Sequence, residues 1–349
     1  MGMKIALIGN PNCGKTTMFN ALTGARQYVG NWPGVTVEKK EGRLKGHEDV
    51  IITDLPGIYS LSPYTLEEVV SRDYLVDVRP DAIINLVDAT NIERNLYLTT
   101  QVMELGIPVV IAMNMMDLVA KSGAKIDIGK LKNTFGCEII ETSALKNKGV
   151  TEAAEAAIAA AKKGTLPKKL EFDAKVESYL SELTDLLPSS VDDHLKRWYT
   201  VKLFERDIKA TDKLGLSADT KKAAEAVVER AETDYDDDTE SIITNERYNL
   251  ITKNIKSSIK KASEKMSTSD KIDRIVTNRI LGLPIFVLVM FVVYYISVST
   301  MGGTLTDWAN DTVVGEWIQA PVQSVMENAG VSDVLTSLVV DGIIGGLGA

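Results

Sequence analysis

The 349-residue chain of 38.1 kDa is 45% hydrophobic and 25% charged, a balance that excludes both a disordered protein and a compact bundle of membrane spans. With 39 Lys and Arg against 48 Asp and Glu the net charge is −9, which argues against nucleic acid as a partner, because nucleic-acid modules carry a basic excess on the binding face. Two cysteines, Cys13 and Cys137, cannot build a disulfide framework and lack the Cys/His clustering of a zinc site, so a reducing cytosolic setting fits the bulk of the chain. No charged segment precedes an apolar run at the start: Met3-Lys4 leads straight into a strand-like stretch, so a cleaved signal peptide is not expected and the N-terminus is expected in the cytosol.

From Lys4 to Lys162 apolar runs of strand length (IALIG, VIITDL, AIINLVDA, PVVIAMN, CEIIETSA) alternate with helical patterns such as TTMFNALTG and NIERNLYLTTQVMELG. This predicts an α/β domain around a mainly parallel sheet flanked by helices. The strands read as nearly continuous Ile, Val and Leu, the pattern of strands covered on both faces. After Gly164, TLPKKL reads as a linker, and from Glu171 to about Lys265 helix formers dominate while Gly is absent apart from Gly215, which predicts a small all-α domain. The acidic run Asp234 to Asp238 within it reads as a solvated loop rather than a cation site.

Ile280 to Met301 contains no charged residue, and at ~1.5 Å per residue it crosses a ~30 Å hydrocarbon core, so a transmembrane helix is predicted. Lys271, Arg274 and Arg279 precede it, no Lys or Arg follows, and Asp307, Asp311 and Glu316 lie beyond; residues 1 to about 279 are therefore expected in the cytoplasm. Lys260, Lys261, Lys265 and Lys271 read as a membrane-proximal stretch able to touch lipid head groups. A second apolar stretch opens near Val334 and breaks off at Gly-Leu-Gly-Ala, so a truncated membrane part is expected. The resulting division is 1–164, 165–268 and 269–349, with the first span at about 280–301.

Four motifs carry chemistry. Gly9-Asn10-Pro11-Asn12-Cys13-Gly14-Lys15-Thr16 fits G-x-x-x-x-G-K-[ST] between the strand KIALI and a helix opening near Thr16. Successive backbone N–H groups of such a loop surround a β-phosphate, Lys15 neutralises β and γ oxygens, and the Thr16 hydroxyl is placed for Mg2+; Thr17 continues the same turn. Asp54-Leu55-Pro56-Gly57 ends the strand VIIT, so Asp54 can hold Mg2+ through a water while the Gly57 N–H meets the γ-phosphate. At the end of VVIAM, Asn114-Met115-Met116-Asp117 supplies a carboxylate that accepts from both N1–H and N2–H2 of guanine; adenine would leave it unpaired. Ser143-Ala144-Leu145 adds a backbone N–H for guanine O6. Together these predict binding of GTP and GDP.

These residues resemble the G1, G3, G4 and G5 motifs of the translation-factor-related, Ras-like GTPases. With GNPNCGKTTMFNALTG, the stretch Asn31-Trp32-Pro33-Gly34-Val35-Thr36-Val37-Glu38 is similar to the FeoB family of prokaryotic ferrous iron transport proteins. The resemblance implies a P-loop GTPase domain, then a GDI-like helical spacer, then a multi-pass membrane part in the cell inner (plasma) membrane. It makes Gly34, Val35 and Thr36 switch I, with Thr36 on Mg2+ and the γ-phosphate, and Asp54 to about Leu66 switch II. Fe2+ is then the transported ion under control of the GTP state, with a small FeoA-like protein as partner, a homo-oligomer as assembly and membrane lipid as surroundings. Residues that touch iron belong to later spans.

Two departures bear on mechanism. Met115 stands where many GTPases have a Lys that packs on the nucleotide, which predicts modest affinity and fast exchange. Ile58 follows Gly57 where Ras-like proteins place a Gln that orients water, which predicts slow hydrolysis. In FeoB-like GTPases an Asn at the position of Asn12 helps hold K+ beside the phosphates, so the resemblance implies K+ stimulation, with Asn12, Lys15, Thr36 and Gly57 as the catalytic set. Cys13 reads as a small residue facing away from phosphate. Trp32 packs on nucleotide, on a partner, or as a loop anchor; His47 and His194 read as surface or capping residues. The competing reading is a soluble or membrane-anchored regulatory GTPase of the ribosome-assembly or tRNA-modification type, disfavoured by a pI near 5.0, by the lack of a basic module and by the apolar run.

Overall fold

The computed structural model describes residues 2–24, 27–62, 64–260, 272–273, 275–278 and 281–348; Lys261, Lys265, Lys271, Arg274, Arg279 and Ile280, which the membrane reading uses, lie outside them. The chain folds as two compact units, Met1–Ser263 and Glu264–Ala349.

In the first unit, β1 (Met3–Gly9), β4 (His47–Asp54), β5 (Ala82–Asp88), β6 (Val109–Asn114) and β8 (Glu138–Glu141) are the five strands expected from apolar runs. β1 lies in the middle, parallel to β4 and β5, and the parallel set continues through β6 to β8. Two strands that no apolar run announces, β2 (Gln27–Asn31) and β3 (Glu38–Leu44), extend the sheet antiparallel beyond β4, giving the order β2-β3-β4-β1-β5-β6-β8.

The continuous apolar runs split by alternation onto two cores. Ile5, Leu7 and Ile84 pack with α1 (Lys15–Thr23) and α6 (Val150–Lys163), among Met18, Phe19 and Ala153. Ala6, Ile8 and Ile83 face the opposite side, with Leu96 of α3 (Ile92–Met103) and Phe135 of α5 (Ile128–Phe135).

The helical segment comprises α7 (Ala174–Asp185), α8 (Lys196–Phe204), α9 (Ile208–Asp212), α10 (Ala218–Tyr235) and α11 (Thr239–Ser258). Its own core gathers Val176, Leu180, Phe204, Val228 and Ile243, while Trp198 of α8 and Ile251 and Ile255 of α11 are buried in the sheet-side core. Two strand residues at the end of α11, β9 (Ile259–Lys260), pair antiparallel with β7 (Lys125–Ile126). The acidic run is absorbed locally: Asp238 caps α11 by accepting the Ser241 N–H at 2.8 Å, and Asp234 takes the Tyr179 hydroxyl and Lys175. His47 pairs with Glu155 at 2.6 Å, and the His194 backbone N–H donates to Asp192.

In the second unit, Gly282–Asn328 is one helix long and apolar enough, by length and composition, to cross a membrane. This helix runs on past Met301, beyond the segment expected to span. Gly302, Gly303 and Gly315 precede Pro321 without ending the helix, which continues through widened π turns at Tyr295–Gly302 and Ala309–Gln319.

Candidate nucleotide-binding site

β1 delivers the chain into the loop Gly9–Gly14, where Asn12 (φ 65°) and Gly14 (φ 93°) take left-handed backbone conformations. A Cβ on Gly14 would lie 2.4 Å from Asn114 Nδ2, so only glycine fits where these two loops touch. Cys13 is buried in the α1/α6 core, facing away from the cavity, and burial pushes its thiol up to about 11. α1 then starts at Lys15 and holds Lys15, Thr16 and Thr17 on the rim of a cavity of about 690 Å3.

The same cavity is lined by Asn10, Pro11, Asn12 and Gly14 from the loop, Gly57, then Asn114, Met115, Asp117 and Leu118, and finally Ser143, Ala144 and Leu145. All four motifs therefore converge, and the volume suits a small-molecule ligand. Asn114 ties them together: its Nδ2 donates to the Cys13 carbonyl at 2.8 Å, and its Oδ1 accepts from the Ala144 N–H at 2.9 Å and the Thr142 hydroxyl at 3.2 Å. Met115 (φ 63°) bends the chain into α4 (Met116–Ser122) and places Asp117 in its first turn. Asp117 Oδ1 accepts from Ser143 Oγ at 3.0 Å and Oδ2 meets Lys146 Nζ at 2.9 Å. Lys146 and Ser143 hold this carboxyl below the usual range, so it is ionised at neutral pH.

Asp54 lies at the end of β4, buried, and accepts from Lys15 Nζ at 2.5 Å. Burial pushes its carboxyl up, and the Lys15 ammonium works against that. The next residues are pinned to β1 and the loop: Leu55 N–H donates to Leu7 O at 3.0 Å and Ile58 N–H to Gly9 O at 3.2 Å. Gly57 abuts Pro11, where a Cβ would sit 3.2 Å from its Cα. Ile58 is buried in the core, so no side chain there reaches toward a ligand.

Not every expected residue reaches the cavity. Gly9, Cys13, Asp54, Leu55 and Pro56 stand behind its wall, and Gly34, Val35 and Thr36 lie apart from it. Their loop closes on itself, with Trp32 N–H donating to Val37 O at 2.9 Å and Val35 N–H to Trp32 O at 3.2 Å. The Trp32 ring is the loop's anchor, edge-on to Tyr74 at 5.3 Å with Lys39 over its face. Leu118, which lines the cavity, and Lys146, which pairs with Asp117, join the site although no motif contains them. Both follow directly on motif residues, which is the one signal the sequence offers for them.

Beyond Gly57 the chain is fastened to its neighbours by polar groups. Leu61 N–H donates to Gln101 at 2.6 Å, Lys202 Nζ of α8 donates to Ser62 Oγ at 3.2 Å and Glu205 at 2.6 Å, and the Tyr64 hydroxyl donates to Glu240 of α11.

Residues 3–157 match the family model described as ferrous iron transport protein B, and residues 172–260 match that of the FeoB cytosolic helical domain. The chain is 38% identical over 366 residues to the Fe(2+) transport protein A/Fe(2+) transporter FeoB fusion protein of Porphyromonas gingivalis, a match covering 99% of this chain and 42% of that protein. It thus spans less than half the length of the curated relatives it matches. Among solved structures, a GDP-bound NFeoB mutant from S. thermophilus is 46% identical with a TM-score of 0.71, covering 74% of this chain and 100% of that one. NFeoB from S. thermophilus bound to GDP, AlF4− and K+ is likewise 46% identical, with a TM-score of 0.66 and coverage of 73% and 99%.

Proposed function

The chain belongs to the FeoB family of ferrous iron transport proteins, and we propose that it is the GTP-hydrolysing cytoplasmic part, with the start of the membrane part, of an Fe2+ uptake transporter in the cell membrane. Its first part is a Ras-like P-loop GTPase domain that binds GTP, followed by a helical domain. The observation that carries the GTPase reading is the meeting of Lys15, Thr16 and Asp117 in one cavity, on a chain that covers an entire NFeoB structure at 46% identity, and the similarity to Fe(2+) transporter FeoB proteins supports transport. The family match does not favour a ribosome-assembly or tRNA-modification GTPase.

Within this reading, residues 9–17 cradle the phosphates, Asp117 reads guanine through two charge-assisted bonds, and the Ser143-Ala144-Leu145 backbone meets O6. Asn114 acts by holding the P-loop and the Ser143–Leu145 turn in register. The Thr16 hydroxyl on the cavity rim is a hard-oxygen donor that fits Mg2+, and we assign it to that ion together with Asp54, which is held on Lys15 behind the wall and would act through a water, and Thr36. Bound there, Mg2+ would offset charge on the β- and γ-phosphates. Gly57 N–H, Lys15 and Thr36 supply the protein's own charge stabilisation. Asn12 on the cavity wall supports K+ coordination, in keeping with the K+ bound to the S. thermophilus relative. Buried Ile58 supports slow hydrolysis in the absence of K+.

We further read the chain as a GTPase domain over 1–164, a spacer over 165–268 and the membrane part from 269, with the spacer carrying the nucleotide state onward. The contacts of Ser62 and Tyr64 with α8 and α11 give that relay a first step. The P. gingivalis fusion supports an FeoA-like partner; self-association and lipid contact complete the reading. Uptake of 55Fe2+ by cells expressing the full-length protein, wild type against Asp117→Asn at equal membrane level, tests it. Loss of uptake in the variant is expected, and wild-type uptake no higher than vector would overturn it.

A further inference from the structure

The carboxylate that reads guanine is itself held by a cation. Lys146 Nζ sits 2.9 Å from Asp117 Oδ2, while Ser143 Oγ occupies Oδ1. The turn that carries Lys146 is closed, with Lys146 N–H donating to Ser143 O at 3.0 Å, Asn147 N–H to Ala144 O at 3.2 Å and Lys148 N–H to Ser143 O at 3.1 Å. It therefore presents the side chain back toward α4.

The electrostatic surroundings press Lys146 in the same direction. Behind the base-reading end lies a second cavity of about 630 Å3, whose charged lining is Lys121, Lys125, Lys146 and Lys148 against Asp117 and Glu141. Four ammonium groups share two carboxylates, and mutual repulsion favours the lysine nearest a carboxylate staying on it. A hydrogen bond to an ionised acceptor is about twice as strong as a neutral one, so an ammonium on Asp117 removes part of what guanine N1–H and N2–H2 would gain.

We infer that Lys146 is a positioning residue that competes with guanine for Asp117 and thereby weakens nucleotide binding and speeds its release. This rests on the reading of Asp117 as the guanine contact and adds a determinant of exchange rate to it. Lys146 is 54% exposed on its side chain, so the effect is modest, a few-fold, as for exposed ion pairs.

The opposite role, an aliphatic stem packing on the base, predicts the opposite sign, which makes the test decisive. Fluorescent GDP dissociation is followed by stopped flow from the full chain in nanodiscs, for wild type, Lys146→Ala, Lys146→Met and Lys146→Arg. Release slows about threefold in Lys146→Ala and Lys146→Met, and Lys146→Arg keeps the wild-type rate, because it keeps the cation. In an Asp117→Asn background, read with xanthosine diphosphate, Lys146→Ala leaves the rate unchanged, since the carboxylate it competes for is gone. Equal or faster release from Lys146→Ala, or an undiminished effect in the Asp117→Asn background, overturns the inference while leaving guanine recognition intact. Failure of the wild type to bind GDP overturns both.

Discussion

Arg247 of α11 donates from both terminal nitrogens to the two carboxylate oxygens of Glu104, each at 2.9 Å, with a further bond to Thr100 Oγ1 at 3.1 Å. Arg247 is 0% and Glu104 8% exposed. The two residues lie 143 positions apart, so the pair joins the helical segment to the end of α3 beneath the surface. Removing one partner leaves a buried charge uncompensated, so Arg247→Ala and Glu104→Ala should each destabilise the fold by about 3–5 kcal/mol. Replacing both with apolar residues of similar volume should recover most of that loss. Urea unfolding of the three variants checks it.

Asn114 satisfies a buried carbonyl on one loop and a buried N–H on another. Asn114→Ala leaves both unpaired, at about 1–3 kcal/mol each. Expected are a lower urea midpoint and at least a tenfold loss of GDP affinity by titration calorimetry, with the circular dichroism spectrum preserved.

Asn12→Ala removes the side chain that we assign to K+. The ratio of GTP hydrolysis rates in K+ and Na+ should fall to about one, while GDP binding persists, because Asn114, Asp117 and Lys15 are untouched. An unchanged ratio would sink the assignment.

Glu177 accepts from Arg197 at 2.6 and 2.7 Å and from the Phe172 N–H at 2.9 Å. Burial pushes its carboxyl up, but the guanidinium and the N–H outweigh this and hold it below the usual value of 4.5. A depressed folded-state value means that the pair stabilises the fold fully above the unfolded value and ceases to do so as pH falls through the folded one. Wild-type stability should therefore fall below about pH 4.5 more steeply than that of Glu177→Gln. Thermal melts from pH 7 to 3 report the difference.

The parts of this molecule legible in the sequence are those in which residue type alone forces the outcome. Gly9 and Gly14 stand where a Cβ would strike Cys13, Leu86 or Asn114, and the apolar runs of β1, β5 and β6 suit only a doubly covered sheet. Glu38, Lys39, Lys40, Glu41 and Arg43 of β3 carry no such mark; they become a strand because β4 offers a free edge on one side and β2 closes the other. Arg247 reads as one more polar helix residue until the fold sets Glu104 beside it. Ile251 and Ile255 fit a helical core by spacing, yet the core they enter belongs to the sheet. Thr36 carries its role by resemblance alone, and its separation from the cavity follows from hydrogen bonds that close its own loop.

The two-residue ladder between β7 and β9 has a mechanical consequence. Beyond Ser258, whose carbonyl accepts the Asp127 N–H at 2.8 Å, the chain is tied down by the pairing of Ile259 with Ile126 and Lys260 with Lys125. A pull on the chain beyond Lys260 is borne first by this short ladder, before any turn of α11 is loaded. β7 lies a few residues after α4, which carries Asp117 in its first turn. Tension on the chain after Lys260 is thus delivered to β7, fewer than ten residues of chain from Asp117, the residue to which we assign guanine.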